Sequence, residues 1–192
     1  MHCLKNVLSL VVLLFGAACS AVVVDSPMGQ TALAVDPAEW DGEWLGIAAD
    51  SDERVIGTVE VVDAANGILQ ATWIEDGELQ RTPIHLRQAG DWVFASVPYL
   101  DDFGSDGEIP QGVPYVWARI VKNENHIFIW YPNVSRFRER IAEGQLPGEL
   151  RDGKGDAFLG ALDAEHYALV ASESAASLFE WDAPGVLVRV GP

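Results

Sequence analysis

Residues 54–98 decide the fold and read RVIGTVEVVDAANGILQATWIEDGELQRTPIHLRQAGDWVFASVP. Three turn signals divide this stretch: Asn66-Gly67, Asp76-Gly77 and Ala89-Gly90-Asp91. Asn-Gly and Asp-Gly favour the tight turns of β-hairpins, because both residues tolerate positive φ. The segments between the turns are rich in β-branched and aromatic residues, which favour strands. The stretch therefore predicts four consecutive antiparallel strands.

Strand and helix signals continue beyond this stretch. The predicted strands are 44–49, 54–62, 68–75, 78–87, 92–97, 115–122, 126–131 and 186–190, with 157–162 as a further candidate. Asn133 and Asp163 predict the starts of two helices, about 134–143 and 164–180, because their side chains can cap a helix. Strand 126–131 is apolar on both faces, which indicates cover on both sides. The chain is therefore predicted to be mainly β, an antiparallel meander barrel with two helices near its C-terminal half.

Residues 1–18 have the pattern of a secretory signal peptide. Lys5 precedes the apolar run 7–15 and the small residues 16–18. Cys19 follows at once, and Ala17-Ala18-Cys19 resembles the lipobox of bacterial lipoproteins, although Gly16 stands where Leu is usual. In that family the Cys sulfur carries a diacylglycerol and the signal is cut before it. Ordinary secretion and an uncleaved anchor over the apolar stretch 7–24 remain alternatives. All three place the domain outside the cytoplasm.

The lipoprotein resemblance implies a location and a domain plan. Ser20 follows the Cys where Asp commonly retains lipoproteins at the inner membrane, so the resemblance implies an outer-membrane lipoprotein facing the periplasm. Residues 19–39 are predicted to be the lipid anchor and a tether, and residues 40–192 the barrel domain. The membrane is thus an expected partner through the acyl chains on Cys19.

Charge and cysteine content exclude several functions. The chain has 192 residues and a formal net charge of −17 at pH 7, so nucleic acid is excluded as a partner for lack of a basic surface. The same charge predicts that acyl chains and not the protein surface contact the membrane. Cys3 lies in the signal and Cys19 would carry lipid, which leaves no cysteine for a disulfide, a zinc site or a thiol nucleophile.

Gly42-Glu43-Trp44, at the opening of the first predicted strand, resembles the Gly-x-Trp motif of lipocalins and related calycin barrels. In those proteins the Trp closes one end of the barrel beneath a basic residue from near the chain end, a place that Arg189 would take here. The coarse resemblance covers about residues 40–190. It is nearer still to uncharacterised bacterial lipocalin-like lipoproteins, which share a Phe-containing helix and a Leu-Pro-Gly stop like those of residues 137–148. That family brings no assigned catalytic residues, so no enzyme activity is expected.

Aromatic side chains are the candidate ligand-binding residues. A hollow barrel would hold a small apolar ligand against Trp73, Trp92, Trp117, Phe128 and Trp130. The alternative is that these residues pack a filled barrel in a structural or protein-interaction lipoprotein.

The histidines, an acidic loop and an arginine-rich helix are further candidate sites. His85, His126 and His166 lack metal-ligand spacing, so no zinc site is expected. The acidic loop 99–114 is either solvated or a calcium site. Arg136, Arg138 and Arg140 form either an exposed ion-pair face or a docking spot for an acidic partner or a lipid phosphate.

Overall fold

The computed structural model describes residues 20–47, 54–75, 77–99, 112–150, 155–172 and 178–191. The predicted signal peptide, Cys19 and the acidic part of loop 99–114 lie outside the described residues.

The described residues form twelve strands and three helices. The strands are β1 (Val22–Val24), β2 (Thr31–Ala32), β3 (Gly42–Ile47), β4 (Arg54–Asp63), β5 (Ile68–Glu75), β6 (Glu78–Ala89), β7 (Trp92–Pro98), β8 (Tyr115–Lys122), β9 (His126–Trp130), β10 (Gly148–Leu150), β11 (Ala157–Leu159) and β12 (Gly185–Arg189). The helices are α1 (Pro37–Trp40), α2 (Val134–Ala142) and α3 (Ala164–Val170). Nowhere in these ranges is a helix long and apolar enough to cross a bilayer.

Eight of the strands close into an antiparallel barrel. Strands β3 to β9 pair in chain order, and β12 then joins β9 to β3. The prediction of a mainly β antiparallel meander barrel is confirmed. The Asn66-Gly67 turn lies where the sequence places it, with Gly67 at φ +63° and a hydrogen bond from the Leu86 amide to the Gly67 carbonyl. A Cβ at Gly67 would lie 2.3 Å from the Leu33 carbonyl oxygen, so the turn requires glycine.

The barrel interior is filled by one face of each strand. Burial in β4 alternates residue by residue from Arg54 to Glu60, which is the period of a strand with one buried face. The inward residues belong to one apolar cluster, whose most deeply buried large members are Trp44, Trp73, Leu69, Leu86 and Ile129. Each of these five side chains is at most 2% exposed.

A second apolar layer covers part of the outer barrel wall. Strand β1 pairs with β8 beyond the end of the β8–β9 ladder, and β11 and β10 extend the sheet outward from β1. Trp117 points outward from β8 and packs between Phe94 of β7 and Phe137 of α2. Parts of β7 and β8 are therefore buried on both sides, whereas the outward residues of β9 are only half-buried, so the cover predicted for strand 126–131 is partial.

The segment expected to be a tether is instead part of the fold. Val22, Val23 and Val24 are 3%, 0% and 6% exposed, and they pair with β11 on one side and β8 on the other. Three β-branched residues gain more from burial in a sheet than from solvation in a linker.

The helices differ from expectation at two places. The second predicted helix ends at Val170 and not near Glu180, and Phe179 forms a bridge with Pro132. Phe179 packs between Trp92 and Trp117 at 5.6 and 5.9 Å, which stabilises the extended path over a further helical turn. Helix α1 was not predicted, although Asp36-Pro37 is a typical helix start, and the Asp36 side chain accepts a hydrogen bond from the Ala38 amide.

Candidate functional site

Trp44 and Arg189 lie together at the barrel end where β3 begins. The guanidinium carbon of Arg189 is 5.8 Å from the centre of the Trp44 ring, within cation–π range. The Trp44 indole donates a 3.0 Å hydrogen bond to the Trp40 carbonyl, and the guanidinium donates to the carbonyls of Ala38 and Asp41. The arrangement implied by the Gly-x-Trp resemblance is therefore present here.

Gly42 makes room for this arrangement. Its φ is +144°, and a Cβ there would lie 3.3 Å from Nε of Arg189. Glycine therefore serves both the backbone conformation and the approach of the guanidinium.

Helix α1 covers the same end of the barrel. Lys122 forms an ion pair with Glu39 at 3.5 Å and lies 5.4 Å from the centre of the Trp40 ring. A shallow surface depression of about 660 Å³ lies beside Asn125, His126 and Arg189. Arg189 already donates to two backbone carbonyls there, which holds the guanidinium against this end of the barrel.

The five aromatic residues predicted to line a cavity do not meet in one place. Trp73 lies inside the barrel, whereas Trp117 packs in the outer layer between Phe94, Phe137 and Phe179. Trp92 and Trp130 also lie outside the barrel wall, and Phe128 stacks between His126 and Trp130. The predicted set does not surround one cavity, because strand alternation sends four of its members outward and only Trp73 inward.

Trp92 and Trp130 instead surround Arg119, which points outward from β8. The guanidinium carbon lies 4.0 Å from the Trp92 ring centre, 4.8 Å from that of Trp181 and 5.3 Å from that of Trp130. Burial lowers the pKa of Arg119 below its usual value. This stack attaches the segment containing Trp181 to the barrel wall, and it fills the space between the indoles with a group of the chain itself.

The barrel wall opens between β4 and β5, at the end where β3 finishes. The β4–β5 ladder starts only at Gly57 opposite Trp73. Residues 54–56 pair with β3 alone, and residues 74–75 pair with β6 alone. A groove of about 610 Å³ lies here, a size typical of small-ligand sites, and Val55, Trp73 and Glu75 line its inner part. We call this groove the β4–β5 cleft.

Glu75, which lines the cleft, and two polar residues farther along the inward face of β6 have buried oxygens without hydrogen-bond partners. They are Glu75 through Oε1, Gln80 through Oε1 and Thr82 through Oγ1, and all three atoms are buried. The other Glu75 oxygen accepts a 3.1 Å hydrogen bond from the Trp73 indole. Gln80 lies opposite Trp73 in the β5–β6 ladder, and Thr82 follows two residues later on the same face. Of the three, Glu75 lines the cleft and offers a carboxylate oxygen to a group that enters.

Three large apolar side chains line the outer part of the cleft, together with the polar residues Glu43, Arg54, Thr58 and Thr72. Ile56, Ile74 and Leu79 are 56%, 70% and 44% exposed, although each is a large hydrophobic residue. Ile74 and Leu79 are direct partners across β5 and β6, so their side chains lie side by side. The cleft therefore combines apolar side chains at its rim with a buried hydrogen-bond acceptor, Glu75.

Trp73 is the one cleft residue that the sequence analysis named; Glu75, Gln80 and Thr82 were not singled out, yet a signal was present. Gln80 and Thr82 alternate in phase with Ile84 and Leu86, which are inward residues of β6. Polar residues on the inward face of a barrel strand indicate either the open end of the barrel or a binding site. Within the described ranges, no three His, Cys, Asp or Glu side chains group as metal ligands.

Comparison with protein-family models, with curated proteins and with solved structures finds no significant match to this chain.

Proposed function

We propose that this chain is a lipid-anchored extracytoplasmic β-barrel domain that binds a small amphiphilic ligand in the β4–β5 cleft. The observation that carries the binding role is the buried Glu75 oxygen without a partner, in a cleft that three exposed apolar side chains also line. A buried acceptor without a partner costs about 1–3 kcal/mol, which a ligand with a hydrogen-bond donor would recover. The ligand therefore has an apolar body and a donor group, and an ammonium suits the Glu75 carboxylate best.

The anchoring part of the proposal rests on the N-terminal sequence. Lys5, the apolar run and Ala17-Ala18-Cys19 support export and acylation, and Ser20 supports residence at an outer membrane, facing the periplasm. We place the chain with the lipocalin-like lipoproteins on the Gly-x-Trp motif and on Arg189 above Trp44.

We favour binding over catalysis because of what Glu75 contacts. Its carboxylate accepts from the Trp73 indole. That partner can orient a carboxylate toward a ligand, but it offers no nucleophile for the carboxylate to activate.

A filled barrel with a structural or protein-interaction role is the second candidate. The observation that favours it is the packing of the interior, where Trp44 and Trp73 are 1% and 2% exposed. A ligand in the cleft would then contact only the mouth of the barrel and not its centre.

Native mass spectrometry of the full chain, extracted from cell membranes in detergent, tests the binding role. We expect a non-covalent adduct on the wild-type chain, reduced about tenfold or more in Glu75→Gln, because a charge-assisted hydrogen bond is lost. Glu60→Gln, on the outward face of β4, is the matched control and should keep the adduct. An adduct-free wild-type chain would favour the filled barrel.

A further inference from the structure

A row of apolar side chains crosses the outside of the barrel over β3, β4, β5 and β6. It consists of Leu45, Ile56, Ile74 and Leu79, which alternate with the inward residues of their strands. Leu45 is the ladder partner of Ile56, and Ile74 is the ladder partner of Leu79. Ile56 and Ile74 both line the β4–β5 cleft and join the two halves of the row. Three of the four side chains are exposed, and an exposed apolar patch on a folded domain indicates an interaction surface.

A polar row runs beside the apolar row on the same outward face. Glu43, Thr58, Thr72 and Arg81 follow one another as direct ladder partners across the four strands. Each of them lies two residues along its strand from a member of the apolar row. A carboxylate therefore stands at one end of the polar row and a guanidinium at the other. Among the described side chains, neither Glu43 nor Arg81 has an ion-pair partner.

The two rows are self-complementary. The midpoint of each row lies between β4 and β5, and a twofold axis there, parallel to the strands, reverses the order of the rows in a second copy. Ile56 of one copy then faces Ile74 of the other, and Glu43 faces Arg81, so each contact occurs twice. Because barrel walls are convex, the two walls separate toward the ends of the rows. The long side chains of Glu43 and Arg81 stand at those ends, where they can still meet.

The charge of the chain limits where a second copy can bind. The formal net charge is −17 at pH 7, so two copies repel each other. The two rows together hold one carboxylate and one guanidinium, so a contact through them brings no net charge together. An unrelated partner would not need an acid and a base at opposite ends of one row. The symmetry of the pattern therefore favours a second copy of this chain as the occupant.

We infer that two copies of this chain form a twofold dimer through the outer faces of β3 to β6. The second apolar layer covers the outside of β7 and β8 and leaves these rows bare. Pairing covers the outer end of the β4–β5 cleft in both copies, so a ligand held at Glu75 lies enclosed between them. The dimer goes beyond the proposed function and does not rest on it, because both rows are complete without a ligand.

Native mass spectrometry of the full chain, purified from the cells that produce it, tests the dimer. We expect the wild type at twice the mass of one chain. At the same concentration Ile74→Ser should have the mass of one chain, because an apolar contact near the axis is lost twice. Val62→Ser, at an exposed position of β4 outside both rows, is the matched control and should stay dimeric. Glu75→Gln should lose the ligand adduct and stay dimeric, so the ligand and the dimer fail separately.

Charge reversal tests how the two rows meet. Arg81→Glu should raise the dissociation constant of the dimer about tenfold or more, because two like-charge contacts replace two opposite-charge contacts. Adding Glu43→Arg should restore the wild-type constant, because each contact again joins opposite charges. A wild-type chain that stays monomeric, or a dimer that Ile74→Ser leaves intact, overturns the inference. A double variant that dimerises as weakly as Arg81→Glu alone overturns the reversed pairing of the rows.

Discussion

Arg189 and Trp44 are directly opposite each other in the β12–β3 ladder, with the guanidinium carbon 5.8 Å from the indole ring centre. The contact joins the last strand of the barrel to the first, next to the carbonyls of Ala38 and Asp41 that accept from the same guanidinium. The closure therefore couples α1, β3 and β12 through one side chain.

Arg189→Met should destabilise the domain by about 1–3 kcal/mol, because a cation–π contact and hydrogen bonds to two carbonyls are lost. Urea unfolding followed by tryptophan fluorescence measures this change. Arg54→Met, at an exposed position on β4, is the control and should stay within about 0.5 kcal/mol of wild type. Equal stability of the two variants would show that Arg189 does not close the barrel.

Val23→Ala should lower the free energy of unfolding by about 2 kcal/mol, because Val23 is fully buried between β8 and β11. The matched control is Val62→Ala on β4, where the side chain is 64% exposed and a change within about 0.5 kcal/mol is expected. A Val23→Ala variant as stable as the control would indicate that residues 22–24 act as a tether after all.

Thr82→Val should stabilise the ligand-free domain by about 1 kcal/mol, because a buried hydroxyl without a partner is replaced by a methyl group of similar size. Thr72→Val, on the outward face of β5, is the control, and its unfolding free energy should change by less than about 0.5 kcal/mol. Loss of stability in Thr82→Val would mean that its hydroxyl is already satisfied.

His85 should make the domain less stable in mild acid. Burial, and then the charge of Arg87 on the same strand, lower the pKa of His85 from 6.5, and its ring packs on Tyr115 at 5.5 Å. The unfolded chain therefore binds the proton at a higher pH than the folded chain does. Stability is lost as the pH falls through 6.5 toward the folded pKa.

The His85 effect is isolated by comparison with His85→Gln. When the pH is lowered from about 7.5 to about 5.5, the free energy of unfolding should fall more for the wild type than for the variant. Hydrogen bonds lower the pKa of Asp63 and of Asp163 from 3.8, so these carboxylates change stability only in stronger acid. Parallel falls in the wild type and the variant would remove His85 as the cause.

The sequence predicts the barrel well because its signals are local. Turn residues such as Asn66-Gly67 and the alternation of β4 fix where strands start, and a meander pairs each strand with the next. The contact of Arg189 with Trp44 was predicted from a motif resemblance and not from local signals, because the two residues are far apart in the chain.

The parts that sequence reasoning missed depend on long-range pairing. Val22 to Val24 look like a linker until β11, more than 130 residues later, provides a partner. Likewise, periodicity shows that Gln80 and Thr82 point inward, but only the late start of the β4–β5 ladder at Gly57 opens a cleft beside them. The split of the five aromatic residues follows from strand alternation, which a list of residue types does not show.

The most direct measurement of the central claim is a crystal structure of the full chain purified from the cells that produce it, with the electron density in the β4–β5 cleft as the readout. We predict density for an elongated molecule with its apolar part beside Ile74 and Leu79 and a donor group within hydrogen-bond distance of Oε1 of Glu75. Ordered water alone on the Glu75, Gln80 and Thr82 oxygens would contradict the claim.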